Sequence, residues 1–352
     1  MLEARPDAVL IAGDLFHGVR PSNRSIVFAY RELQRLRAGL PEAAIVAIAG
    51  NHDTPRSSDI GSILRLYEEL GIEVATDQAR RLVFPRLGLS VFAVPHAALE
   101  AEALDLSPSG AEPFQVLLIH AEMSGLLPID QYAMEYGGVL LDPEVLHPEA
   151  WSYVAMGHYH VQTSLSPRCW YSGSLEYIGP NIWGEIVTEA LNRVPGKGWL
   201  LADLDSGAVT RCAVPASRTI FDAPVLDAAG HSPGELDRLI AQRLAAVPGG
   251  LTDAIVRLIV ENIPRPVMRE LDHAAIRAAK AEALHLQLDF RRPETSRTVG
   301  VGAPGRRQTL PELVSEFLAR RPLPERLSRE RFVALGMELL AEPEGHTMEE
   351  AG

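Results

Sequence analysis

Residues of metal-ligand type stand at the ends of apolar runs in four separate parts of the chain. Gly50-Asn51-His52-Asp53 follows the run 43–49 and presents an amide, an imidazole and a carboxylate in consecutive positions. Asp14 and His17 follow the run 8–12, His120 follows 116–119, and His158 and His160 follow 153–156. Taken singly, each has an ordinary reading: Asp14 and the 50–53 segment are rich in turn formers, and a lone histidine packs in a core. Taken together, they bring imidazole nitrogens and Asp/Asn oxygens to one edge of one sheet. That mixed donor set suits manganese, iron or zinc. A carboxylate bridging two such metals serves in-line attack on a phosphate ester. In an extended segment the i and i+2 side chains of His158-Tyr159-His160 point the same way, so both are expected at one site. Glu122 and Glu176 read as solvated carboxylates.

The elements that must position these groups follow from the pattern. Short unbroken apolar runs read as strands buried on both faces, as in a parallel sheet. Between the first two lies a helix starting at Ser22 or Asn23, with Ile26, Val27, Tyr30, Leu33 and Leu36 on one face and Gly39 and Pro41 ending it. A second helix is expected from Ser58 or Asp59, with Ile60, Ile63, Leu64 and Tyr67 inward and Gly71 closing it. Strand, helix, strand, helix, with polar residues at the strand C-termini, is α/β architecture. Runs 82–84 and 89–94 read as paired strands, 98–113 as a looser connection, and 199–204 with 209–213 as a hairpin around Asp205-Ser206-Gly207.

After Pro215 the character changes. Ser232-Pro233-Gly234-Glu235 fits a capping box. It opens a helix carrying Leu236, Leu239, Ile240 and Leu244; a strand at 254–260, a helix at 274–284 and a strand at 286–290 complete a small α/β unit. Thr309-Leu310-Pro311-Glu312 is a second capping box before a helix with Leu313, Val314, Phe317 and Leu318. A further helix carries Phe332, Leu335 and Leu339. Two short amphipathic helices bury little against each other, so they are expected to dock on a partner. The organisation read from sequence is therefore 1–214, a capping domain at 215–292, a linker at 293–308, a partner-binding helical segment at 309–341 and a disordered acidic tail at 342–352.

The chain has 352 residues, 47% hydrophobic, with a formal net charge of -13. That charge excludes simple electrostatic capture of nucleic acid, but divalent metal or a basic partner reverses a local field. Two distant cysteines, Cys169 and Cys212, make no disulfide framework and suit a reducing cytoplasm. No run approaches the roughly 20 apolar residues of a membrane span, and residues 1–7 lack the features of a signal peptide.

Gly13-Asp14, Gly50-Asn51-His52-Asp53, His120 and Gly157-His158-Tyr159-His160, in that order, resemble the calcineurin-like metallophosphoesterase superfamily. Gly13-Asp14-Leu15-Phe16-His17, Tyr171-Ser172-Gly173-Ser174-Leu175-Glu176 and the capping unit are similar to the SbcD-type DNA repair nucleases. The resemblance implies a sandwich of two mixed sheets flanked by helices, with a small α/β cap and a C-terminal helix pair. It implies two divalent metals, manganese first, with Asp14 bridging. Asn51, His120 and His158 would complete the second metal and His160 the first. His52 would contact the scissile phosphate and protonate the leaving oxygen. Asp53 would orient His52 or its loop, and His17 would help place the DNA or stabilise the transition state. The implied activity is attack of activated hydroxide on a DNA phosphodiester in double-strand-break repair. The implied partner is an SMC-like ATPase of SbcC type, bound through 309–341; a homodimer is open beside a single copy. The superfamily pattern begins with Asp-x-His ahead of Gly-Asp, and none precedes Asp14 here. The first metal is thus expected to lack two ligands; a start placed too late, a fragment or a degenerate subunit would each account for it, and the intact remainder favours the first. A phosphoesterase acting on nucleotides or phosphoproteins, and a scaffold that has lost its first metal, stay open as alternatives.

Overall fold

The structure, a computed structural model, describes residues 1–55, 61–101, 104–126, 138–179, 181–293, 310–321 and 328–341. The chain divides into two compact units, Met1–Arg292 and Pro293–Gly352. Most of the expected linker and the whole acidic tail lie outside the described residues.

In the first unit, β1 (Ala8–Ile11) is followed by α1 (Asn23–Gly39), β2 (Ala44–Ile48) and β3 (Glu73–Ala75). These three strands form a sheet that is parallel throughout, in the order β1-β2-β3. Ser22 caps α1 by accepting from the Ser25 amide. The expected second helix is a 3-10 helix, Ile63–Leu70, capped by Ser62 and closed by left-handed Gly71. Ser58 and Asp59, where sequence places its start, lie outside the described residues.

A second sheet is built from β4 (Arg80–Phe84), β5 (Leu89–Val94), β6 (Phe114–His120), β9 (Tyr153–Gly157), β10 (Thr163–Ser166) and β11 (Cys169–Tyr171). Its order is β10-β11-β9-β6-β5-β4, with the two outermost pairings antiparallel and the inner ones parallel. A short pair, β7 (Glu122–Met123) and β8 (Leu140–Leu141), stands beside it. Where sequence reads a loose connection after residue 98, a short helix α2 (His96–Ala101) occurs instead.

Alternation along each strand explains the unbroken apolar runs. Ile45, Ala47 and Ala49 pack with Leu33, Leu64 and Tyr67, while Val46 and Ile48 pack with Val91, Ala93, Val116 and Leu118 of the second sheet. The opposite face of that sheet, Phe92, Val94, Leu117 and Ile119, is covered by Leu146 and the fully buried Trp151. The inner strands β2, β5, β6 and β9 are thus covered on both faces, which is why their sequences are almost wholly apolar.

Next come α3 (Ile182–Leu191) and the hairpin of β12 (Gly198–Ala202) with β13 (Val209–Ala213). A separate parallel sheet, β14-β15-β16, follows from β14 (Ile220–Asp227), β15 (Ile255–Glu261) and β16 (His285–Phe290). With α4 (Pro233–Ala245), α5 (Arg265–Arg269) and α6 (His273–Glu282) it encloses its own core around Leu236, Ile240, Val256 and Leu258. The capping box of Ser232 and Glu235 is formed. In the second unit α7 (Leu310–Arg320) and α8 (Arg329–Ala341) pack together, closely enough that a methyl group on Gly336 would meet Leu318.

Candidate metal centre

All four ligand-bearing segments converge where β1, β2, β6 and β9 end. Among the described residues, Asp14, His120 and His158 offer donor atoms that lie within 4.8 Å of one another. Nε2 of His120 is 3.2 Å from Asp14 Oδ2, 2.9 Å from Asn51 Oδ1 and 3.4 Å from His158 Nδ1. Asn51 Oδ1 lies 3.3 Å from His158 Nδ1. Two nitrogens and two oxygens from four strand ends thus share one small volume, a donor set that suits a borderline transition metal.

Each imidazole turns its other nitrogen outward. Nδ1–H of His120 donates to the carbonyl of Ala12 at 2.7 Å, so in the neutral ring Nε2 carries the lone pair facing Asp14 and Asn51, and in the charged ring Nε2–H donates to Asp14. Nε2–H of His158 donates to Glu122 Oε1 at 3.0 Å. Carbonyl and carboxylate partners of this kind fix tautomer and orientation at histidine metal sites, so the residues present fit a divalent cation. Glu122 corrects a reading from sequence: it is 7% exposed and engaged, not solvated.

The backbone is forced at two of these positions. Asp14 has φ 52° and His158 φ 106°, both in the left-handed region that non-glycine residues seldom occupy. Such strain concentrates at functional sites. The His158 conformation also overturns the expectation that 158–160 is extended. β9 ends at Gly157, and the two histidines reach different partners: His158 joins Asp14 and His120, whereas Nδ1–H of His160 donates to Glu185 Oε1 at 3.0 Å. Gly157 is required by close approach, since a Cβ there would strike the Ala12 carbonyl and crowd His120.

Asp53 is buried beneath the turn. Its carboxylate accepts from the amides of Leu15 at 2.9 Å and Phe16 at 3.1 Å, and it does not reach the His52 ring. Burial and the charge of Asp14 push its pKa up to about 6, against the pull of its backbone donors. Asp14 is opposed by burial too, but His120 and the His52 amide, 2.9 Å from Oδ1, hold its carboxyl below the usual range. Burial favours neutral His120, yet the hydrogen bond and charge of Asp14 prevail and raise its pKa. His52 lies near the surface; its Nδ1–H donates to the carbonyl of His17 at 3.0 Å, and the two rings stack with centroids 5.1 Å apart.

Sequence reasoning missed three kinds of group here. Glu122 and Glu185 are remote in sequence from the histidines they hold. Lys197, 3% exposed, donates to the backbone carbonyl of His160 at 3.0 Å and to Glu185 Oε2. His96, at a further strand end, is 4% exposed, with Nε2 3.4 Å from Glu100 Oε1; burial lowers its pKa. The sharp strand-end position of His96 after Pro95 was the available signal; nothing local marked the other three.

Residues 2–162 match the family model of the calcineurin-like phosphoesterases. The chain is 26% identical over 205 residues to the DNA double-strand break repair protein Mre11 of Saccharolobus solfataricus, covering 56% of this chain and 49% of that one. It is 30% identical over 166 residues to the Mre11 of Sulfurisphaera tokodaii, covering 44% and 39%. It is 27% identical over 361 residues to the SbcD component of the SbcCD nuclease of Rhodobacter capsulatus, covering 89% and 84%. The chain thus spans about half the length, or less, of the two Mre11 relatives. All the strand-end residues fall within the matched segment: residues 2–162 are similar to the calcineurin-like phosphoesterases, and the relatives compared are two Mre11 DNA double-strand break repair proteins and one SbcCD nuclease subunit.

Proposed function

We propose that this chain is a metal-dependent DNA phosphodiesterase, the nuclease subunit of a double-strand-break repair complex with an SMC-like ATPase. The observation that carries the reading is the convergence of Asp14, Asn51, His120 and His158 at the strand ends. Relatives named as DNA double-strand break repair protein and nuclease subunit support DNA as the substrate.

In this reading Asp14, Asn51, His120 and His158 hold one divalent cation, and Asp14 and His160 contribute to a second. Manganese is the first choice, with iron and zinc as the others. Bound there, the cations supply positive charge to the phosphoryl oxygens and lower the pKa of water. The residues do the rest. His52 donates Nδ1–H to the His17 carbonyl, so Nε2 is its free nitrogen; as the imidazolium it gives the Nε2 proton to the leaving oxygen and becomes the neutral ring protonated on Nδ1. His17, exposed and stacked on that ring, steadies it beside the DNA. Asp53 orients the turn that presents both Asn51 and His52.

The helices α7 and α8 are the proposed contact with the ATPase, in keeping with Phe317 and Leu335 at 61% and 56% exposed. The repair reading places the chain in the cytoplasm, in keeping with two unpaired cysteines. Among the described residues no helix is long and apolar enough to cross a membrane. A homodimer is included in the reading, and sedimentation of the full chain measures it.

The test is cleavage of duplex DNA in manganese by the full chain and by His52→Ala, together with metal analysis. The variant is expected to bind manganese normally and cleave about 10²–10⁴-fold more slowly. Equal cleavage by both removes His52 from the mechanism. Turnover of a small phosphodiester without DNA cleavage favours a phosphoesterase of another substrate class, and no bound metal favours a scaffold. Removal of residues 308–352 is expected to abolish association with the ATPase; unchanged association refutes that contact.

A further inference from the structure

A buried ionic cluster lies behind His160. The Lys197 ammonium, 3% exposed, donates to Glu185 Oε2 and to the His160 carbonyl, with Glu189 Oε1 3.1 Å away. It also sits 4.4 Å from the centre of the Tyr177 ring, whose hydroxyl donates to Glu189 Oε2 at 2.6 Å. Removing an ammonium from water is costly unless its partners are well placed, and pairs of this kind often add little stability. The arrangement is better explained by what it holds. Lys197 grips the main chain of His160 directly and its side chain through Glu185, because the other Glu185 oxygen accepts from His160 Nδ1 at 3.0 Å. An ionised carboxylate only accepts, so the proton of the neutral ring is fixed on Nδ1 and the lone pair on Nε2.

We propose that Glu185, clamped by Lys197, is the positioning residue of His160 and sets its tautomer and ring orientation. The tautomer claim stands alone; its bearing on metal rests on the reading of His160 as a ligand. The parallel with Glu122 and His158 argues for the same device at both histidines of 157–160.

The experiment is ¹⁵N-histidine NMR of the metal-free full chain at pH 8, with the His160 signals assigned by their loss in His160→Gln, followed by manganese titration. The wild-type ring is expected in one tautomer, protonated on Nδ1. Glu185→Ala is expected to give a tautomer mixture and to weaken manganese binding about 10–100-fold. Glu185→Gln, which still offers an acceptor oxygen, is expected to restore most of both; a purely structural role would not distinguish these variants so. A single unchanged tautomer in folded Glu185→Ala overturns the proposal. If that variant does not fold, Glu185→Met with Lys197→Met, which removes the acceptor together with one charge of each sign, replaces it: mixed tautomers support the proposal and one unchanged tautomer overturns it. Manganese binding unaltered by His160→Gln would instead sink the reading of His160 as a ligand, leaving the tautomer result to be judged separately.

Discussion

The carboxylate of Asp53 accepts the backbone N–H of Leu15, so the turn after β2 holds the turn after β1 in place. The Phe16 amide adds a second bond to the same side chain. A longer bond from the Gly50 amide completes the set, so replacing Asp53 by Ala strands three amides, each costing about 1–3 kcal/mol when fully buried without a partner. The expected loss is about 3 kcal/mol, read as a lower urea midpoint at unchanged slope. Asp53→Asn keeps one acceptor oxygen and should recover roughly half. A midpoint unmoved by Asp53→Ala would show that the two turns hold their places without it.

Glu122 is expected to matter through His158. Glu122→Gln keeps the shape but exchanges a carboxylate for an amide against Nε2 of that ring. Outer partners of ligating histidines typically account for about 10–100-fold in metal affinity. Calorimetric titration with manganese measures this, and an affinity within about twofold of wild type would return Glu122 to a packing role.

Gly157→Ala tests the close approach of β9 to the end of β1. The new methyl group has no room beside the Ala12 carbonyl and His120 Nδ1. Overpacking of this kind costs about 1–3 kcal/mol. A lower melting temperature and weaker manganese binding are expected together, because the same carbonyl holds the His120 ring. A variant as stable and as tight as wild type would contradict the packing described.

The two cysteines should separate by reactivity. Cys169 is fully buried and burial pushes its pKa up to about 12, so it remains a thiol at neutral pH. Alkylation of native protein at pH 8 is expected to label Cys212 alone, with both labelled in denaturant. The sign for stability follows: the folded state keeps the Cys169 proton more tightly, so this contribution is present below the ordinary thiol range near 9 and is lost as pH rises toward about 12. Native labelling of Cys169 at pH 8 would contradict its burial.

The strands of the sandwich were legible because two-sided burial leaves no polar residue in runs such as 44–48. β14 was not, because Pro224 interrupts it; the structure accommodates the proline at a register shift between Ala223 and Leu226. At the site, the ligand-type residues were legible from their strand-end positions. The left-handed backbone of His158 was not, since an extended reading gives it ordinary strand geometry. Glu122, Glu185 and Lys197 carry no local signature, since a carboxylate 25 or 36 residues from its histidine looks like any surface charge.

Helix α3 has a second attachment. Two residues before Glu185, Trp183 donates its indole N–H to Gln287 Oε1 in β16 at 3.0 Å, and the Arg257 guanidinium lies 4.8 Å from the centre of its ring. Positions two apart on an α-helix point roughly 200° away from each other, so one side of α3 is fastened to the β14–β16 sheet and the other to His160. Mechanically, α3 is a stiff connecting rod of one short helix: a displacement of that sheet which carries Trp183 also carries Glu185, and with it the acceptor that holds the His160 ring.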